Sequence, residues 1–271
     1  SFQRLQAAND DALIDTVSDN LRADAIGDNG TSGDGLATVT IFEDTVITTD
    51  GDAGGSTMAG DIVFEHRIEG DASHDDLQVS LAGAGASDDG DLLVGASGNA
   101  LSVDGRVGAT QRVGIITIDM ADDVIFGETG VGTGTIFSEG FIQTAGSGDT
   151  SLFGTTTVNG VETALRTGAY NEDITGGNVD ITTAGDFFAA GQIITSGGTP
   201  ADGDGNTGGF VNVTADTIEL QRVDTRGSAA VNSGGGGDGG PISLDALDGV
   251  TASILLHGDL LAQGGAGAGG G

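Results

Sequence analysis

The sequence has no cysteine, no lysine and no tryptophan, and only 2 prolines among 271 residues. Without cysteine there is no disulfide framework, thiolate nucleophile, thiolate zinc site or iron–sulfur cluster. Without lysine, the Lys–Asn isopeptide cross-links that stiffen some surface fibres cannot form. Cations are scarce in general: 8 arginines face 41 acidic residues, for a net charge of −33. Such a chain is a poor partner for nucleic acid, because binding phosphates needs clustered cations, and an anionic membrane surface repels it. No apolar run approaches the 18 or so residues of a spanning helix, so no membrane insertion is expected.

What the chain has in excess is glycine, 52 residues, together with aspartate. This is not the composition of a disordered segment. The apolar fraction is 37%, Val, Ile and Leu recur in short blocks, and Pro is nearly absent, whereas disordered chains lack aliphatics and are rich in Pro, Lys and Glu. Glycine is concentrated between the apolar blocks, where turns belong. Strands show as alternation. From Asp61 to Ile68 one face takes Ile62, Phe64, His66 and Ile68, and from Ile115 to Met120 one face takes Ile116, Ile118 and Met120.

Two phrases repeat. Gly-Gly, one residue, then apolar-x-apolar begins at Gly176, Gly208 and Gly239, with the inward pairs Val179/Ile181, Val211/Val213 and Ile242/Leu244. An apolar residue, any residue, Thr or Ala, any residue and Gly begins at Ile142, Ile193, Val223 and Leu260, and with one insertion at Val46. Repetition of this kind is the signature of a solenoid whose coils stack only on their neighbours. The sequence therefore predicts an all-β parallel β-helix, with Gly and Asp at the corners, since Gly tolerates positive φ and Asp bonds its own backbone. Coils of roughly 20–30 residues predict about ten layers, and a spacing of about 4.8 Å per layer predicts a rod on the order of 50 Å. The solenoid is expected over residues 36–263. Residues 1–35 read as a cap or interface segment containing a helix that begins near Ala12 behind Asn9-Asp10-Asp11. Residues 264–271 read as a Gly-rich tail or linker. Ser1 in place of Met and the absence of a leading signal segment suggest a piece of a longer or processed chain.

Runs such as GGNVDITTAGDFFAAGQIITSGG from Gly176, and the stretch Val113 to Phe126, resemble the repeats of large secreted bacterial surface proteins, the filamentous-haemagglutinin-like and autotransporter-adhesin β-solenoids. That resemblance, in repeat style over residues 36–271, implies a right-handed parallel β-helix, an extracellular or cell-surface location and a structural or adhesive role. It also implies partners that are identical copies, neighbouring repeats of a longer chain, or surface carbohydrate and other cell-surface components.

Asp-rich turns make calcium the candidate cofactor, since Ca²⁺ takes six to eight oxygens from carboxylates and turn carbonyls. The candidate ligands are Asp50, Asp52, Asp88, Asp89, Asp91, Asp202, Asp204, Asn206 and Asp238. No stretch fits the calcium-binding β-roll repeat, and the loop from Asp202 has Val213 where an EF-hand requires Glu. The acidity is equally well explained by a high-salt environment that screens self-repulsion. Catalytic residues are not expected. His66, His74 and His257 are scattered, and the adjacent pairs Asp75-Asp76 and Asp122-Asp123 point to opposite faces or to solvent. The alternative class is a carbohydrate-active β-helix, which would need two carboxylates converging at about 5–10 Å. The triplets at Asn29 and Asn212 match the glycosylation pattern, Asn212 within a strand.

Overall fold

The computed structural model describes residues 5–7, 12–17, 20–25, 38–41, 44–48, 59, 61–64, 67–70, 72, 74–83, 89–95, 107–109, 111–127, 134–158, 160–168, 173–247 and 253–268. Over these residues the chain is a parallel β-helix with three faces. Sheet I stacks Thr45–Thr48, Leu77–Ser80, Val113–Ile118, the second half of Ile136–Gln143, Val179–Thr182, Val211–Ala215 and Ile242–Ala246. Sheet II stacks Asn20–Ala25, Ile62–Phe64, Leu92–Val94, Val124–Phe126, Thr150–Leu152, Phe187–Ala189, Thr217–Leu220 and Ser253–Leu256. Sheet III contains Thr38–Ile41, Arg67–Glu69, the first residues of Ile136–Gln143, Val161–Arg166, Gln192–Ile194, Val223–Asp224 and Leu260–Leu261, with Val107 bridging Ile68 to Ile136. The chain visits I, II and III in turn and then begins the next layer.

The Gly-Gly repeat reports this register directly. Val179 pairs with Val211 and Val211 with Ile242, while Ile181 pairs with Val213 and Val213 with Leu244. Earlier layers are less regular: Thr45 pairs with Leu77, Leu77 with Ile116, Ile116 with Phe141 and Phe141 with Val179. Layers thus repeat after 25 to 39 residues, longer than the expected 20–30, because loops of different length leave the corners. The seven described layers of sheet I span about 29 Å at the usual inter-strand spacing, shorter than the predicted rod of ten.

The core is a narrow apolar column. Ile116, Ile118, Val124, Phe126, Phe141, Leu152, Val179, Ile181, Phe187, Val211, Val213, Ile218 and Leu220 are all buried, each on those of the layers above and below. Each such side chain contributes about 1.5–3 kcal/mol relative to exposure. Phe126 and Phe141 meet edge to face with ring centroids 5.8 Å apart.

Three expectations are corrected. Ala12–Val17 and Asn20–Ala25 form an antiparallel hairpin, not a helix, and Asn20–Ala25 pairs parallel to Ile62–Phe64 as a layer of sheet II. Leu13, Val17 and Leu21 fit helical spacing, but Ile14, Thr16 and Val17 are β-branched and suit a pleated strand better. The single strand expected from Asp61 to Ile68 is two strands on different faces, with Ile62, Phe64 and Ile68 buried; His66 lies outside the described residues. The second phrase marks two different faces. Ile193, Val223 and Leu260 are in register in sheet III. Val46 and Ile142 sit instead on the outward side of sheet I, beside Gln78 and Asp180.

Candidate functional site

The two repeated phrases meet at one corner, where sheet III turns into sheet I. Thr167, Thr195 and Thr225 each donate a side-chain hydrogen bond to the carbonyl of the second glycine of the next Gly-Gly pair: Gly177 at 2.7 Å, Gly209 at 2.7 Å and Gly240 at 2.6 Å. The same glycines return their N–H to the threonine carbonyls at 3.0, 2.7 and 2.8 Å. Glycine is required there by close approach. A Cβ on Gly209 would overlap the Gly177 carbonyl, and one on Gly240 would overlap that of Gly209.

A second column precedes sheet II. Asp91 N–H donates to Asp61 Oδ1 at 3.0 Å, Asp123 N–H to Asp91 Oδ1 at 3.2 Å, Asp149 N–H to Asp123 Oδ1 at 2.8 Å, and Asp186 N–H to Asp149 Oδ1 at 2.8 Å. Each carboxylate thus clamps the backbone of the following layer. Sheet I begins with the same device: Asp76 N–H donates to Asp44 Oδ1, and Phe210 N–H to Asn178 Oδ1. At Asp91 burial raises the pKa, the Asp123 N–H bond opposes it, and the neighbouring charges of Asp61, Asp123 and Asp122 add to the rise.

The calcium candidates fall into separate places. Asp50, Asp52 and Asp88 lie outside the described residues. Asp89 accepts from Gly83 N–H at 2.8 Å and from Ser147 Oγ at 2.9 Å, and Asp91 belongs to the column above. Asp202, Asp204 and Asn206 share one loop, where they hydrogen-bond to neighbouring backbone and side-chain groups. Asp202 Oδ1 accepts from Gly203 N–H at 2.9 Å and Asn232 Nδ2 at 3.0 Å, and Asp204 Oδ1 from Gly235 N–H at 2.8 Å. Asn206 Nδ2 donates to Asp173 Oδ1 at 2.8 Å, and this bond, with the Ala201 N–H, lowers the Asp173 pKa. Asp238 is exposed. Among the described residues no three His, Cys, Asp or Glu side chains come close enough to hold a metal ion.

Other polar side chains also hydrogen-bond within or between layers. His74 Nδ1 lies 2.8 Å from Glu139, and His257 Nε2 lies 2.9 Å from Glu219. Asp76 Oδ1 accepts from Ile115 N–H at 2.6 Å, and Asp122 Oδ1 from Ser147 Oγ at 3.0 Å. Asp224, largely buried, accepts from Arg226 Nε at 2.8 Å and Nη2 at 2.6 Å and faces Arg222 at 3.5 Å; its hydrogen bond raises the Arg226 pKa. Asn212 Nδ2 donates to Asp180 at 2.7 Å inside its strand, and Asn29 lies outside the described residues. Residues 264–268, expected as a tail, hydrogen-bond to the preceding layer: Gly265 N–H donates to the Gly237 carbonyl and Ala268 N–H to that of Gly234.

Neither the threonine clasp nor the aspartate column was anticipated from the sequence. The clasp left a signal there, in the Thr of one phrase and the Gly-Gly of the other.

Ile254 and Leu256 are in register with Ile218 and Leu220, which are fully buried, yet are themselves 44% and 39% exposed. Leu247, Leu255 and Leu260 are exposed beside them. No described strand pairs with the outer edges of Ile242–Ala246, Ser253–Leu256 or Leu260–Leu261. No protein-family profile, curated protein or solved structure matches the chain.

Proposed function

We propose that this chain is a structural and adhesive segment of a secreted cell-surface or extracellular-matrix β-solenoid, a rod that grows along its axis by adding further layers end to end. The observation that carries the reading is the stacking itself: successive described layers are bonded to one another through their corner side chains. In the last described layer Ile254 and Leu256 stand at core positions yet are exposed, and no described strand pairs with the outer edges of its three strands. Unpaired edges next to exposed aliphatics form a template for another strand layer, and a heterologous end-to-end contact that does not close builds a filament. The residues present support a mechanical role: the polar side chains at the corners are committed to holding layer to layer.

The test is sedimentation velocity and electron microscopy of the purified chain across a concentration series, in salt high enough to screen its charge. End-to-end multimers that grow with concentration are expected, and Ile254→Glu should stop their growth while leaving the far-ultraviolet circular dichroism spectrum unchanged. Single rods at every concentration, or multimers indifferent to Ile254→Glu, would overturn the reading.

A further inference from the structure

The flank built by sheet II carries an apolar stripe on its outward side. Successive residues of a strand face opposite ways, so Leu93, Ile125, Ser151 and Phe188, each between two buried residues, point away from the core. They are in register over four successive layers: Leu93 pairs with Ile125, Ile125 with Ser151 and Ser151 with Phe188. Phe153, two residues beyond Ser151, widens the stripe at that layer, its ring centroid 5.3 Å from that of Phe188. Leu93, Ile125, Phe153 and Phe188 are all part-exposed, and among the described strands none lies across them.

The aspartate column borders this stripe layer by layer. Asp91, Asp123, Asp149 and Asp186 stand two residues before Leu93, Ile125, Ser151 and Phe188 respectively, so each lies on the same outward side, roughly 6.8 Å along its strand. The first three each give one carboxylate oxygen to the N–H of the next aspartate in the column. Asp149 and Asp186 are exposed. The flank thus presents a negative ladder beside an apolar one, both stepping by about 4.8 Å over a length of about 14 Å.

We propose that this flank docks a basic amphipathic helix of another protein, its apolar face on the stripe and its Lys or Arg side chains on the aspartate column. Charge complementarity selects the sign of the partner. An acidic partner is repelled, as is an anionic lipid surface. A second copy would bring the same column and has no lysine to answer it. Its arginines Arg112, Arg166, Arg222 and Arg226 are engaged on the sheet III side, with the Gly168 carbonyl or with Asp224. Pitch selects the helix. Side chains one turn apart advance by about 5.4 Å and stay close to the layers over three steps. Same-face residues of a strand laid along the rod advance by roughly 6.8 Å and lose step after the first. The surface lies on the flank of one chain, so this inference stands apart from end-to-end growth.

The test is fluorescence anisotropy at about 0.15 M salt, with a labelled Leu/Lys peptide of about five turns whose leucines form one helical face. Its Leu/Glu analogue, oligolysine of equal charge and an alternating Leu/Lys peptide are the comparators. The helical Leu/Lys peptide should bind most tightly. Phe188→Ser, and Asp149→Asn combined with Asp186→Asn, should each weaken it at least fivefold. Asp202→Asn combined with Asp238→Asn removes the same charge elsewhere and should change it less than twofold. Asn at position 149 keeps an acceptor for the Asp186 N–H, so that pair keeps the result readable if Phe188→Ser misfolds. No binding, equal losses in the two aspartate pairs, or oligolysine or the alternating peptide binding as tightly would each overturn the proposal. So would binding abolished by Ile254→Glu, which would put the peptide on the last described layer, or side-by-side association of rods relieved by Phe188→Ser, which would give the face to a second copy.

Discussion

Thr195 gives and receives across one corner: its hydroxyl lies 2.7 Å from the Gly209 carbonyl oxygen, and its own carbonyl accepts the Gly209 N–H at 2.7 Å. The hydroxyl is buried, so removing it leaves the Gly209 carbonyl short of a partner. Thr195→Val should destabilise the fold by about 1–2 kcal/mol, read by urea denaturation, and Thr195→Ser should recover most of the loss. A valine variant as stable as the parent would show that the clasp adds nothing.

The glycine column should be far less tolerant than glycine in the outer loops. Gly209→Ala places a methyl group against the Gly177 carbonyl, whereas a Cβ on Gly235 comes no nearer than 4.0 Å to the Asp204 carboxylate. Gly209→Ala should lower the melting temperature by many degrees, and Gly235→Ala should leave it nearly unchanged. Equal effects would refute close stacking as the reason for the Gly-Gly phrase.

Asp91 sets a pH dependence whose sign follows from its raised pKa. The folded state holds the Asp91 proton more tightly than the unfolded chain does, so this group favours folding at low pH. That contribution is lost as pH rises from the ordinary value of 3.8 through the folded pKa. Asn keeps an acceptor for the Asp123 N–H and removes the charge. Asp91→Asn should therefore be more stable than the parent at neutral pH, with the gap closing in acid. A gap that widened on acidification would contradict the charge column.

Salt and calcium can be separated by melting. If diffuse repulsion dominates, molar NaCl should raise the melting temperature, and a chelator at constant ionic strength should leave it unchanged. A chelator-induced drop that calcium reverses and magnesium does not would show specific calcium binding.

The regular layers were legible in the sequence because the Gly-Gly phrase sits at a sterically constrained corner, and Val179, Val211 and Ile242 follow it at fixed distance. The aspartate column was not, for a geometric reason. Its bonds join residues 30, 32, 26 and 37 positions apart, because the loops between corners vary in length and no fixed period survives. The pairing of Thr156–Val158 with Val161–Arg166 was hidden similarly, since nothing local to Thr156–Val158 shows it. At Ala12 the apolar spacing suited either period, and β-branching decided for strand.

In the aspartate column and the threonine clasp alike, a side chain of the earlier layer grips the backbone of the later one. At these two corners the rod is therefore polar along its axis. A chain that emerges N-terminus first presents each new layer to carboxylates and hydroxyls already in place. A chain presented from the other end would offer bare amides to a partner not yet formed.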